Sequence, residues 1–158
     1  MKGKGSTWQS DLANAHILEN QFAERIQQLY PKAKIKQAPT GSSFSDWDIE
    51  VIWPKGSITF EIKEDRQASE WSSNVAVEFG RTLKDGTYKP TCLSISKADC
   101  WVYYFHDTFW LIGAADLKEL VKTANRTIGG DGNKAHIYLV KKDKFLSKAH
   151  NCFEYLAA

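Results

Sequence analysis

A chain of 158 residues, 42% hydrophobic and 25% charged, is the size of one globular domain with a sizeable core. Its formal net charge of +2 excludes a protein that coats nucleic acid by bulk basicity, so any phosphate affinity must come from local Lys and Arg clusters. Cys92, Cys100 and Cys152 form neither a disulfide framework nor a metal-ligand spacing, and no apolar segment follows the basic start Met1-Lys2-Gly3-Lys4. A reducing, cytoplasmic location without membrane contact is expected.

Residues 1–10 are polar and glycine-containing and are expected to form a flexible arm ahead of a single domain over 11–158. Ser10 and Asp11 offer N-cap chemistry for a helix running to Leu29 and ended before Pro31. Its apolar stripe is Ala15, Leu18, Phe22, Ala23, Ile26 and Leu29. At about 100° per residue, Glu19 falls inside that stripe and Glu24 on the opposite, solvated side. A carboxylate there is costly unless it is paired, bound to metal or able to reach water from the stripe's edge. Lys32, Lys34 and Lys36 alternate with Ala33, Ile35 and Gln37, which predicts a short strand whose basic face is either a phosphate track or a lysine-protected edge.

Two alternating runs, Asp48 to Trp53 and Ile58 to Lys63, flank the turn residues Pro54-Lys55-Gly56-Ser57 and predict a β-hairpin. Pairing Trp53 with Ile58 puts Ile49, Val51, Trp53, Ile58, Phe60 and Ile62 on one apolar face and Asp48, Glu61 and Lys63 on the other. Neighbouring carboxylates repel, so such a cluster calls for a cation. Hard oxygen ligands from Asp48 and Glu61, with a backbone carbonyl such as that of Ile62 and several waters, suit Mg²⁺. Lys63 then stands where it orients or deprotonates the attacking water. A solvated hairpin face with a surface ion pair shows the same alternation.

These residues resemble the PD-(D/E)XK nuclease superfamily, whose core is an acid on one strand followed by Glu-x-Lys on the next. Asp48 stands for the first acid and Glu61-Ile62-Lys63 for the second motif, while Trp47 occupies the place of the proline that names the pattern. The run Glu19-x-x-Phe22-Ala23-x-x-Ile26 and the interval of 13 from Asp48 to Glu61 are similar to those of archaeal Holliday-junction resolvases. The resemblance implies a restriction-endonuclease-like α/β fold, Mg²⁺ with Mn²⁺ as a substitute, DNA as partner, and a helix glutamate, Glu19, that completes the site.

Past the hairpin, Val75, Val77 and Phe79 alternate with Asn74, Ala76 and Glu78, a third strand expected to lie antiparallel to the second and to carry Glu78 toward the metal edge. Residues 80–91 read as a loop whose Arg81, Lys84 and Lys89 are the first choice for DNA contact outside the catalytic centre. The run Asn74-x-x-x-Glu78, then Ser96-x-Ala98-Asp99-x-Trp101, resembles small phage and bacterial members of the superfamily, which implies that Ser96 and Lys97 lie near the bound strand. Trp101 to Phe105 reads as a central strand returning through residues 106–108 to Phe109–Ile112, and Leu117, Leu120 and Val121 predict a helix over 116–124. Residues 125–134 are glycine-rich without the Gly-Lys-Ser/Thr ending of a nucleotide-binding loop; they read as a DNA-facing loop with Arg126 and Lys134, or as an ordinary connection. Residues 135–140 read as the last strand, followed by a basic segment and an aromatic tail.

His16, His106, His136 and His150 are scattered, with no His-Glu-x-x-His, no Cys-x-x-Cys and no HNH arrangement, which argues against zinc and Cys-His catalysis. The expected architecture is a mixed sheet of about five strands with helices 11–29 and 116–124 packed on it. The expected function is Mg²⁺-dependent endonucleolytic hydrolysis of DNA by Asp48, Glu61, Lys63 and Glu19, with junction-resolvase-like selectivity for DNA structure as one form of it and a non-catalytic DNA-binding module, an exonuclease and an interaction domain as alternatives. Phe109, Trp110, Phe153 and Tyr155 exceed what one core is expected to bury and point to a homodimer.

Overall fold

The computed structural model describes residues 8–39, 44, 46–70, 72–129 and 134–158, with only the backbone of 8–12, 69 and 70. The first helix, α1, spans Trp8–Leu29, so Ser10 and Asp11 lie within it rather than capping it, and residues 8–10 are helix rather than free arm. Residues 1–7 lie outside the described residues. Its stripe is buried at Leu18, Phe22, Ala23 and Ile26. Pro31 cannot continue the helix, and the Gln27 amide donates to the carbonyls of Tyr30, Pro31 and Ala33 that are left open at its end.

The chain then forms β1 (Lys34–Gln37), β2 (Ile49–Trp53) and β3 (Gly56–Glu64). The hairpin pairs Trp53 with Gly56 and Ile49 with Phe60, not Trp53 with Ile58. Pro54 and Lys55 alone make the turn, because Gly56 and Ser57 are drawn into β3 against Trp53 and Ile52. This register is two residues from the expected one. Since strand period is two, every side chain keeps its expected face.

A segment containing α2 (Arg66–Glu70), β4 (Asn74–Thr82), β5 (Tyr88–Pro90) and a 3₁₀ turn (Cys92–Ser94) separates β3 from β6 (Cys100–Phe105). β6 pairs parallel with β3, and β7 (Thr108–Gly113) returns antiparallel through His106 and Asp107, both at positive φ (50° and 55°), which matches the twist of a tight hairpin. Then come α3 (Ala114–Val121), β8 (Asn125–Gly129), β9 (Ala135–Lys141), α4 (Lys142–Lys148), β10 (His150–Asn151) and α5 (Cys152–Ala157).

The result is a mixed six-stranded sheet, β1-β2-β3-β6-β7-β10, and an antiparallel four-stranded sheet, β5-β4-β9-β8. The mixed sheet flanked by helices is the expected architecture. The second sheet corrects several expectations. β4 does not pair with β3; its neighbours are β5 and β9. Residues 80–91 are not one loop, since β4 runs to Thr82 and β5 opposes it. Residues 125–129 are a strand rather than a loop, residues 130–133 fall outside the described residues, and β10, not β9, is the last strand. The helix expected over 116–124 runs from Ala114 to Val121.

Two apolar layers hold the sheets. One face of the large sheet, with Ile49, Val51, Phe60, Ile62, Val102 and Leu111, packs on α1 and the C-terminal tail. Phe22 sits at its centre, its ring 5.3 Å from Phe60, 5.7 Å from Phe109 and 5.6 Å from Phe153. Phe109 is buried, Arg25 lies over Phe153, and Trp110 stacks on Phe105. Of the four aromatics expected to form a dimer surface, Tyr155 alone is exposed, so aromatic surplus gives no ground for an interface. The other face, with Trp101, Tyr103, Phe105 and Ile112, packs against the second sheet, α3 and α4. Among the described residues no helix is long and apolar enough to cross a membrane.

Asp65, 7% exposed, ties the layers together. Its carboxylate accepts from Ala68 N–H at 2.9 Å, capping α2, and from Ala76 N–H at 2.8 Å, on β4. Asp65→Ala is expected to lower stability by about 2–4 kcal/mol by orphaning one buried and one half-buried amide, measured by urea denaturation; a loss within about 0.5 kcal/mol, the usual range for a surface change, would show the tie to be dispensable.

Candidate active site

Asp48 stands one residue before β2, held by backbone on both sides. Its N–H donates to Phe60 O at 2.9 Å, and Ile62 N–H donates to its Oδ2 at 2.8 Å. Continuing the hairpin register puts Asp48 across from Glu61. Glu61 is 7% exposed, with Lys63 Nζ 3.4 Å from its Oε1 and Ser96 Oγ donating to its Oε2 at 3.3 Å. Glu61 and Lys63 share the face opposite the α1 core because they are two residues apart on one strand.

A cleft of about 790 Å³ opens beside them, lined among others by Glu19 of α1, Asp48, Lys63, Arg66 of α2 and Glu78 and Arg81 of β4. The open face of the second sheet, with Ile137, Leu139 and Thr127, forms its far wall. The structure therefore brings Glu19 of α1 to the same place as Asp48, Glu61 and Lys63 of the β2–β3 hairpin. Glu24 is exposed on the other side of α1.

Burial raises the pKa of all three acids. Glu19 is pushed up to about 7, by burial first and then by the charges of Asp48 and Glu61, against the pull of Lys63. Asp48 and Glu61 are likewise raised by burial, with Lys63 working in the opposite direction. Burial disfavours the Lys63 ammonium, yet Cys92, Glu61 and Asp48 around it hold its pKa well above the ordinary lysine value. Lys63 is thus a fixed cation rather than a base. With all three acids ionised one ammonium would not balance them, and their raised pKa values express a demand for further positive charge, a proton or a cation.

The remaining expected residues are placed as follows. Glu78 lines the cleft from the second sheet, its pKa lowered despite burial by hydrogen bonds from Thr91 and Cys92 and by Arg81. A bulge between Glu78 and Gly80 shifts the ladder so that Arg81 returns to Glu78's face, 3.2 Å from it. Ser96 binds Glu61 directly, while Lys97 is exposed and pairs with Asp46 at 3.9 Å. Lys84 lies in the turn between β4 and β5, and Lys89 opposes Arg81. Asn74 opens β4 beside Lys141. Arg126 is on β8, and Lys134 precedes β9.

Sequence reasoning passed over His16 and Cys92. His16 Nδ1 is 3.6 Å from Glu19 Oε2, one helical turn away, a spacing that could have flagged it. Cys92, its thiol pushed up to about 11 by burial, donates to Glu78 at 3.1 Å.

Among the described residues no three His, Cys, Asp or Glu side chains form a ready-made metal cage. Mg²⁺ does not need one, since it binds through one or two carboxylates and keeps much of its water. The buried, cation-deficient pair Asp48 and Glu61 fits that requirement. No protein-family model matches the chain, and no curated protein matches it. Among solved structures it is similar to a bacterial homing endonuclease, I-Ssp6803I, with a TM-score of 0.52 and 16% identity over 90% of each chain. The likeness is one of fold: the chain shares the mixed α/β architecture of that protein.

Because Glu19 gains a proton-favouring environment on folding, its contribution disfavours the native state as pH rises from its ordinary value of 4.5 through about 7. In chelator, Glu19→Gln is expected to stabilise the protein at pH 8 by about 1–3 kcal/mol and to change little at pH 4, below both values. Thermal unfolding at the two pH values checks this.

Proposed function

We propose that the protein is a metal-dependent DNA endonuclease of the PD-(D/E)XK type, acting in the cleft between α1 and the second sheet. The observation that carries this reading is the convergence of Glu19, Asp48 and Lys63 on one cleft, with Glu61 buried beside them against Lys63. The endonuclease named in the structural comparison supports it.

Asp48, Glu61 and the Ile62 carbonyl are the residues that would hold Mg²⁺, or Mn²⁺ in its place, with Glu19 completing the set. Such an ion supplies Lewis acidity at the phosphate and lowers the pKa of a water nucleophile. The chain's own groups set the geometry. The Ile62 N–H fixes the Asp48 carboxylate, and Ser96 with Lys63 fixes Glu61. Lys63, protonated throughout the neutral range, donates to the water or the phosphate and offsets charge that grows in the transition state. Arg66 and Arg81 line the cleft where they meet flanking phosphates. One such site per chain attacks one strand, so cutting both strands of a duplex calls for a homodimer about a two-fold axis.

Asp48→Asn and Glu61→Gln are each expected to abolish Mg²⁺-dependent cleavage while keeping or strengthening DNA binding, since each removes a charge that repels phosphate. Lys63→Ala and Glu19→Gln should lower activity by about a hundredfold or more, and Glu24→Gln should change little. Linear, circular and branched DNA incubated with Mg²⁺ provide the assay. Cleavage surviving in Asp48→Asn would place the chemistry elsewhere.

A further inference from the structure

The side of the second sheet turned away from the cleft is covered by α3 and α4 around Val75, Val77 and Val140. Farther along the same strands it carries rings, of which Phe79 and Tyr138 are half-buried at the rim of that core. Phe79 and Tyr138 lie 4.2 Å apart, and Tyr88 is 5.2 Å from His136, which Thr82 Oγ1 fixes through a 2.8 Å hydrogen bond to Nε2. The Arg126 guanidinium stands 5.4 Å from Tyr138 and 5.7 Å from Phe79. At the margins Tyr88 and Ile128 are 49% and 54% exposed.

The charge on this half-face is of one sign. Strand alternation puts Arg126 here and Glu78 on the cleft side; among the described residues the nearest carboxylate in sequence is Asp85, out in the β4–β5 turn. Rings interleaved with a guanidinium, with no acid among them, match the π-faces and phosphates of an unpaired nucleic-acid strand. The half-face is also continuous with the cleft. Arg81 and Lys89 oppose each other across β4 and β5, and Lys84 occupies the turn that joins the two strands. A strand leaving the cleft around that turn meets cations on the way and rings on the far side.

We infer that this half-face stacks unpaired bases, so that the substrate class is DNA with a single-stranded segment beside the duplex in the cleft, as in a branch or flap. That the nucleic acid is DNA rests on the nuclease reading; the stacking rests on the sheet.

The test uses the full chain in chelator at low salt, with a fluorescein-labelled oligo-dT of roughly 12 nucleotides, within the range such platforms cover, and a blunt duplex of equal length. Anisotropy should show oligo-dT binding that Tyr88→Ala weakens about tenfold and Tyr88→Phe preserves, with circular dichroism unchanged. Equal oligo-dT affinity in wild type and Tyr88→Ala, or no binding at all, would overturn the inference. Concentration-dependent self-association that Tyr88→Ala abolishes, with oligo-dT affinity unchanged, would assign the surface to a second copy instead. Tyr88-dependent binding without cleavage of any DNA in Mg²⁺ would sink the nuclease reading and leave the stacking surface standing, whereas cleavage with no Tyr88 effect would do the reverse.

Discussion

The parallel pairing of β3 with β6 is the constraint on which the rest depends. Parallel neighbours cannot be joined by a tight turn; the chain must travel from one end of the sheet back to the other, which takes a dozen residues or more. Here the return runs from Asp65 to Asp99 and is not a single helix. It contains α2 and the β4–β5 hairpin, to which β9 and β8 add to complete a second sheet. The cleft is therefore built by topology: strand β3 presents Glu61 and Lys63, and the connection that leaves β3 supplies Arg66, Glu78 and Arg81 opposite them.

Within that frame, local backbone needs fix the acids. Asp48 satisfies the amide of Ile62, so its carboxylate is positioned by the same bond that extends the pairing of the hairpin beyond its ladder. Glu61 is anchored by Ser96, in the segment that leads into β6, and thereby joins the start of one strand to the middle of its parallel neighbour. Desolvation makes each carboxylate reluctant to ionise, while Lys63, enclosed by them, is reluctant to lose its proton.

The sequence made the large sheet's hairpin and α1 legible because each has a period. Glu19 and Glu24 were separated by helical phase alone, and the structure puts Glu19 in the cleft and Glu24 in solvent. The face of Asp48, Glu61 and Lys63 survived a mistaken register because the error was an even number of residues. What alternation does not carry is the identity of the partner strand. Val75, Val77 and Phe79 looked the same whether β4 joined β3 or another sheet. Residues 125–129 concealed a strand behind polar and glycine residues, since an edge strand paired on one side needs little apolar content. The tail aromatics were misjudged for a related reason: composition counts rings but not the space around Phe22 into which Phe109 and Phe153 fit.

The bulge at Phe79 has a consequence for how such a chain tolerates change. One extra residue between Glu78 and Gly80 decides that Arg81 faces the cleft with Glu78, where unbroken alternation would turn it to the side of Val77 and Phe79. Chain length at this point therefore sorts charges from rings, and it does so for every residue that follows up to the β4–β5 turn. Deleting a single residue there would exchange the two faces of the strand's end without altering the chemistry of any side chain. A side chain at position 80 would meet the Tyr88 ring, and a change of count would need a second one to restore the phase.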